Sequence, residues 1–101
     1  MINNYIKEFL AIVKYLIKSE LVIEKDNFLI VDKEIVFNLL EKNLYQTKEN
    51  KLKIWRGLNW IDTDKRRFTK RVKLSGKESP KIKIRYEVYK TLEKLNGKER
   101  Q

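Results

Sequence analysis

Fourteen lysines and arginines fall between Lys48 and Arg85 against four carboxylates, while the rest of the chain carries ten of each sign. The net charge of +10 is therefore confined to one stretch. The chemistry open to such a stretch is capture of a polyanion, because a neutral body with one cationic segment concentrates its potential on one surface. The chain has no cysteine and no histidine. That excludes disulfides, zinc fingers, thiol nucleophiles and every catalytic arrangement built on an imidazole. Tyr5, Tyr15, Tyr45, Tyr86 and Tyr89 offer hydroxyl nucleophiles, but only Asp62 and Asp64 are at hand to assist, and both read as turn and capping residues. No catalytic residue, metal ligand or cofactor is expected. Trp55 lies on the apolar arc of a helix and is expected in the core. Trp60 follows a helix stop, where it either fills a junction or sits half exposed as a base-stacking plate.

The elements that position these residues follow from periodicity. Asn3 or Asn4 caps a first helix with apolar positions Tyr5, Ile6, Phe9, Leu10, Val13, Leu16 and Ile17. Leu21 to Val31 reads as a short hairpin around Asp26-Asn27, residues that tolerate left-handed backbone. Asp32 caps a second helix whose apolar face is Ile35, Val36, Leu39, Leu40 and Leu44. Asn43 to Gln46 forms a turn, Thr47 caps a third helix, and Asn59 ends it in the left-handed position. The core side of that helix is taken as Ile54, Trp55, Leu58 and Ile61, with Leu52 on its flank.

From Trp60 the period changes from helical to alternating. Phe68, Val72 and Leu74 are placed on one strand face, with Arg67, Thr69, Arg71 and Lys73 on the other; Lys70 breaks the pattern and marks either a bulge or a frayed edge. A connection from Ser75 to Pro80 leads to a second strand, where Ile82, Ile84 and Tyr86 alternate with Lys81, Lys83 and Arg85. One hairpin with a single basic face is the expectation. Val88 to Leu95 closes the chain as a short helix.

A length of 101 residues gives one domain, 1–101, with a core large enough to fold alone. The apolar stretch Tyr5 to Ile17 is interrupted by Lys7, Glu8 and Lys14 and is too short to span a bilayer, so no membrane association and a cytoplasmic location are expected.

The order helix, short hairpin, helix, turn, helix, basic β-hairpin, short C-terminal helix resembles the winged helix-turn-helix DNA-binding proteins, an α+β class. The passage Leu52-Lys53-Ile54-Trp55-Arg56-Gly57-Leu58-Asn59-Trp60-Ile61, followed by Asp64-Lys65-Arg66-Arg67-Phe68-Thr69-Lys70-Arg71-Val72, is similar to the place where the recognition helix of that family enters its wing. Asn59 stands where many members carry glycine. The resemblance covers Leu29 to Arg85 and implies that the third helix enters a major groove. Asn50, Lys53 and Arg56 would then read base edges, and Lys48 and Lys51 would hold phosphates. Arg67, Thr69, Arg71, Lys73, Lys81, Lys83 and Arg85 would lie along the DNA backbone, with Lys77 entering an A·T-rich minor groove. In size and lysine-rich character the chain is also similar to the TcpK-type relaxosome accessory proteins of clostridial conjugative plasmids, which implies repeated sites at an origin of transfer and a separate relaxase partner.

The implied function is non-catalytic, sequence-specific binding of double-stranded DNA as a homodimer or in arrays, since so small a domain makes few base contacts. The first or last helix, through Val88, Tyr89, Leu92 and Leu95, would supply the self-association surface. A plasmid or phage transcriptional regulator, an RNA or single-strand binder, and a basic adaptor for acidic protein surfaces remain the alternatives.

Overall fold

The computed structural model describes residues 2–99 and is α+β, with four helices and five antiparallel strands. In chain order these are α1 (Ile2–Lys18), β1 (Ile23–Lys25), β2 (Phe28–Val31), α2 (Lys33–Leu40), α3 (Lys48–Gly57), β3 (Ile61–Asp62), β4 (Lys70–Leu74), β5 (Lys77–Arg85) and α4 (Tyr86–Glu99). The sheet runs β1-β2-β5-β3, and β4 pairs with the outer half of β5. Among the described residues no helix is long and apolar enough to cross a membrane.

Local chemistry accounts for most boundaries. Asp26 and Asn27 both take positive φ (52° and 66°), which makes the two-residue turn between β1 and β2 that the sequence implies. The Thr47 hydroxyl accepts the backbone N–H of Asn50 and so caps α3. At the other end Asn59 has φ 63°, while Trp60 N–H donates to Trp55 O (2.8 Å) and Asn59 N–H to Arg56 O (3.0 Å). These two bonds satisfy the last carbonyls of the helix as a Schellman motif. The same pattern ends α1, with Glu20 at φ 56°.

Several expectations need correcting. Helix α1 already includes Asn3 and Asn4, so neither is its cap. Asp32 does stand at the N-cap of α2, but its side chain makes no capping bond and instead pairs with Lys81. Helix α2 ends at Leu40, leaving Leu44 in the connection and 91% exposed. Leu52 is buried and Leu58 is exposed, the reverse of the expected flank and core positions on α3. Tyr86 opens α4 rather than continuing β5.

The largest correction concerns the basic hairpin. Its turn is Ser75-Gly76 alone, both at positive φ, and Lys77 to Pro80 belong to β5. A two-residue turn pairs Leu74 with Lys77 and Arg71 with Pro80, so odd positions of β4 oppose even positions of β5. Opposed residues share a face. Arg71 and Lys73 therefore project from the opposite side of the ribbon to Lys81, Lys83 and Arg85, and the single basic face is not formed.

The core lies between the helices and the inner face of the sheet. Phe9, Val13 and Leu16 of α1 meet Val36 and Leu40 of α2, Leu52 and Trp55 of α3, and Leu29, Val31, Ile82 and Ile84 of the sheet. Phe9 sits at its centre, edge-on to Trp55 (centroids 5.0 Å) and tilted against Trp60 (4.8 Å). Ile30 and Val72 are also buried, but they lie apart from this core in a cleft shared with Lys25, Lys73 and Lys83.

Candidate nucleic-acid interface

The outward side of α3 carries Glu49, Asn50 and Lys53, all exposed. The Asn50 side-chain amide donates to Gln46 Oε1 (2.9 Å), which holds it at the start of the helix. Lys48 is half-buried, paired with Glu41 at 3.4 Å and placed over the Phe37 ring. Lys51 is the sharpest departure from expectation. Its side chain is fully buried, and Nζ donates to Glu8 Oε2 (3.0 Å), Leu40 O (2.7 Å) and Asn43 O (2.6 Å). It reaches no phosphate. An ammonium on the third helix instead ends the second helix and pins the turn between them to α1.

Glu8 completes this lock by accepting also from Tyr45 Oη (2.6 Å) and Asn43 Nδ2 (3.1 Å). Burial, then the hydrogen bond to Glu8, pushes the Tyr45 phenol above its ordinary range, so it stays protonated and donating. Sequence reasoning missed this role of Glu8. A carboxylate between Lys7 and Phe9 is ordinary on an exposed helix face, and only the tertiary fold shows that this one turns inward.

Between β3 and β4 the chain leaves the sheet as a tight loop; Lys70, expected to mark a bulge or a frayed edge, is instead the first residue of β4 and pairs in register with Lys81. Asp64 clasps the loop: its N–H donates to Thr69 O (2.8 Å), its carbonyl accepts Arg67 N–H (3.0 Å), and its carboxylate accepts Arg71 N–H (2.9 Å). That backbone bond is the main cause holding the Asp64 carboxyl below the usual range, with Lys70 at 3.5 Å adding to it. Thr69 is buried at the base of the loop and cannot line DNA. Lys65, Arg66 and Arg67 are exposed on its outside.

Arg56 joins this loop to α3. Its guanidinium donates to Arg67 O (3.1 Å) and lies over the Phe68 ring, 4.8 Å from the centroid. One guanidinium N–H and one face of Arg56 are thus engaged within the chain, and they brace the loop against α3. Lys65 and Arg66 are legible in the run Asp64-Lys65-Arg66-Arg67, but an alternating pattern that begins at Arg67 assigns part of this loop to a strand that starts only at Lys70.

The remaining cations divide by pairing. Lys83 and Arg85 share Asp62 (3.6 and 3.9 Å) and flank Phe28, Lys81 pairs with Asp32, and Arg71 with Glu78 (3.2 Å). Three of the four carboxylates in the basic block are thus engaged by cations within it. Among the described residues Lys53, Arg56, Lys65, Arg66, Arg67, Lys73 and Lys77 have no carboxylate partner. Trp55 and Trp60 are both buried in the core, so neither offers a stacking plate. Of the proposed self-association residues, Val88, Tyr89 and Leu92 pack partly against the chain's own core, and Leu95 is 53% exposed.

No family model matches this chain, and no curated protein matches it.

Proposed function

We propose that this chain is a non-catalytic double-stranded DNA-binding protein of the winged helix-turn-helix class, with α3 as recognition helix and the β4–β5 ribbon as wing. The observation that carries this reading is the contact of Arg56 with Arg67 O and Phe68. It seats three consecutive exposed cations beside the outward face of α3, so that Lys53, Arg56, Lys65, Arg66 and Arg67 together outnumber Glu49 there. Self-repulsion across such a surface costs stability unless a polyanion compensates it. Asn50 and Lys53 are the base-reading candidates, and Lys65, Arg66, Arg67, Lys73 and Lys77 the backbone contacts. The burial of both tryptophans favours duplex over single strands, since single-strand binders need exposed stacking plates.

The setting we propose, implied by the likeness in size and lysine-rich character alone, is repeated sites beside an origin of transfer with a relaxase doing the chemistry; a transcriptional regulator is the nearest alternative setting. Selection from a random duplex library followed by footprinting tests the proposal. A defined, repeated or palindromic duplex site supports it, and recovery of no sequence, or a preference for single-stranded competitor, refutes it.

A further inference from the structure

The loop between β3 and β4 has more structure than a backbone contact needs. Asp64 closes it with two backbone bonds and a carboxylate bond, and Arg56 braces it from α3 with its guanidinium over Phe68, which packs partly buried against the core. Arg66 stands at φ 66°, a left-handed position where glycine or asparagine would be the unstrained choice. A long cationic side chain is held there, in the middle of three exposed cations. The ribbon tip, assigned to the minor groove from the sequence, offers Lys77 next to Glu78 and lies a five-residue strand away, about 17 Å from the loop.

Resting on the DNA-binding reading above, we propose that the Lys65-Arg66-Arg67 loop, and not the ribbon tip, enters the minor groove flanking the major-groove site of α3, with Arg66 as the inserted side chain. The duplex major groove is about as wide as a helix with its side chains. A loop packed on the side of such a helix meets the adjoining phosphate strand, and the minor groove lies across it. A guanidinium sheds water more easily than an ammonium and is drawn to the strong negative potential of a narrow A·T-rich groove. The A·T preference of the protein then comes from Arg66 at base pairs outside those that α3 reads.

The test uses the full chain and a duplex recovered by selection. Flanking A·T pairs are changed to G·C, and then to I·C, which keeps the major-groove edge of G·C but lacks its minor-groove amino group. Wild type is expected to lose about fivefold or more in affinity with G·C and to recover with I·C. Arg66→Ala should abolish this flank discrimination while keeping the ranking of sites mutated within the α3 segment, and Lys77→Ala should leave it intact. Arg66→Gly checks that any loss comes from the side chain and not from the turn. Flank discrimination that survives in Arg66→Ala, or is lost in Lys77→Ala, overturns the inference with DNA binding left standing. Failure of wild type to bind any duplex removes the underlying reading as well.

Discussion

Replacing Lys51 with methionine separates the two roles open to a lysine on the third helix. The ammonium is fully buried and makes three bonds, to Glu8 and to the carbonyls of Leu40 and Asn43. Its loss leaves the Glu8 carboxylate uncompensated and two carbonyls without that donor. Breaking a buried ion pair from one side costs about 3 to 5 kcal/mol, and each orphaned carbonyl adds about 1 kcal/mol. A loss of about 5 to 7 kcal/mol is expected, a large part of the total stability of a domain this size. Urea unfolding followed by tryptophan fluorescence should show a midpoint lower by about 2 M or more, taking an m-value of about 1 to 2 kcal/mol/M. The double variant Lys51→Met with Glu8→Leu should recover part of the loss, because Tyr45 and Asn43 are exposed enough to turn to water and no charge remains buried. A single-variant loss below about 1 kcal/mol, or strict additivity in the double variant, would refute the lock between the three helices. Where Lys51→Met remains folded, its affinity for duplex at each salt concentration should equal wild type.

Lys53→Ala should relax preference at one base position and cost about 1 to 3 kcal/mol on the preferred site, measured by competition binding against single-base variants. Arg56→Ala should instead weaken binding by releasing the loop, and increased amide exchange from Lys65 to Thr69 in the free protein would distinguish that route from a lost base contact. Acid should loosen the same loop: a carboxyl held below its ordinary 3.8 stabilises the folded state fully above that value and loses its contribution as pH falls through the lower folded value. NMR titration of the Arg71 amide should follow this, and Asp64→Asn should remove the step; an Arg71 amide with the same acid response in Asp64→Asn as in wild type would contradict it. Glu20→Gly, at an exposed left-handed position, should raise stability by up to about 1 kcal/mol in thermal unfolding.

Local signals carried the fold far. Asp26-Asn27, Thr47 and Asn59 act over one turn of chain, and each has the conformation its side chain favours. The charge of the basic block was visible by counting, but its arrangement was not. Whether Arg71 shares a face with Lys83 depends on the length of the Ser75-Gly76 turn, and one residue of parity reverses the answer. Lys51 and Glu8 defeat sequence reading for a different reason. They lie 43 positions apart, and a charged residue on an amphipathic helix is assigned to solvent unless its distant partner is known. Arg56 is intermediate, since its contact with Phe68 is close in sequence but needed the loop to leave the sheet.

Binding of duplex DNA is tested most directly by an equilibrium titration of the selected site across a range of salt concentrations. Neutralised phosphates release counterions, so the logarithm of the binding constant should fall linearly with the logarithm of salt, with a slope of about 0.9 for each phosphate contact. Several contacts are expected for wild type, with a smaller slope by about one for Lys65→Ala and Lys73→Ala and an unchanged slope for Thr69→Ser. A salt-independent constant, or no binding to duplex even at low salt, would contradict the account.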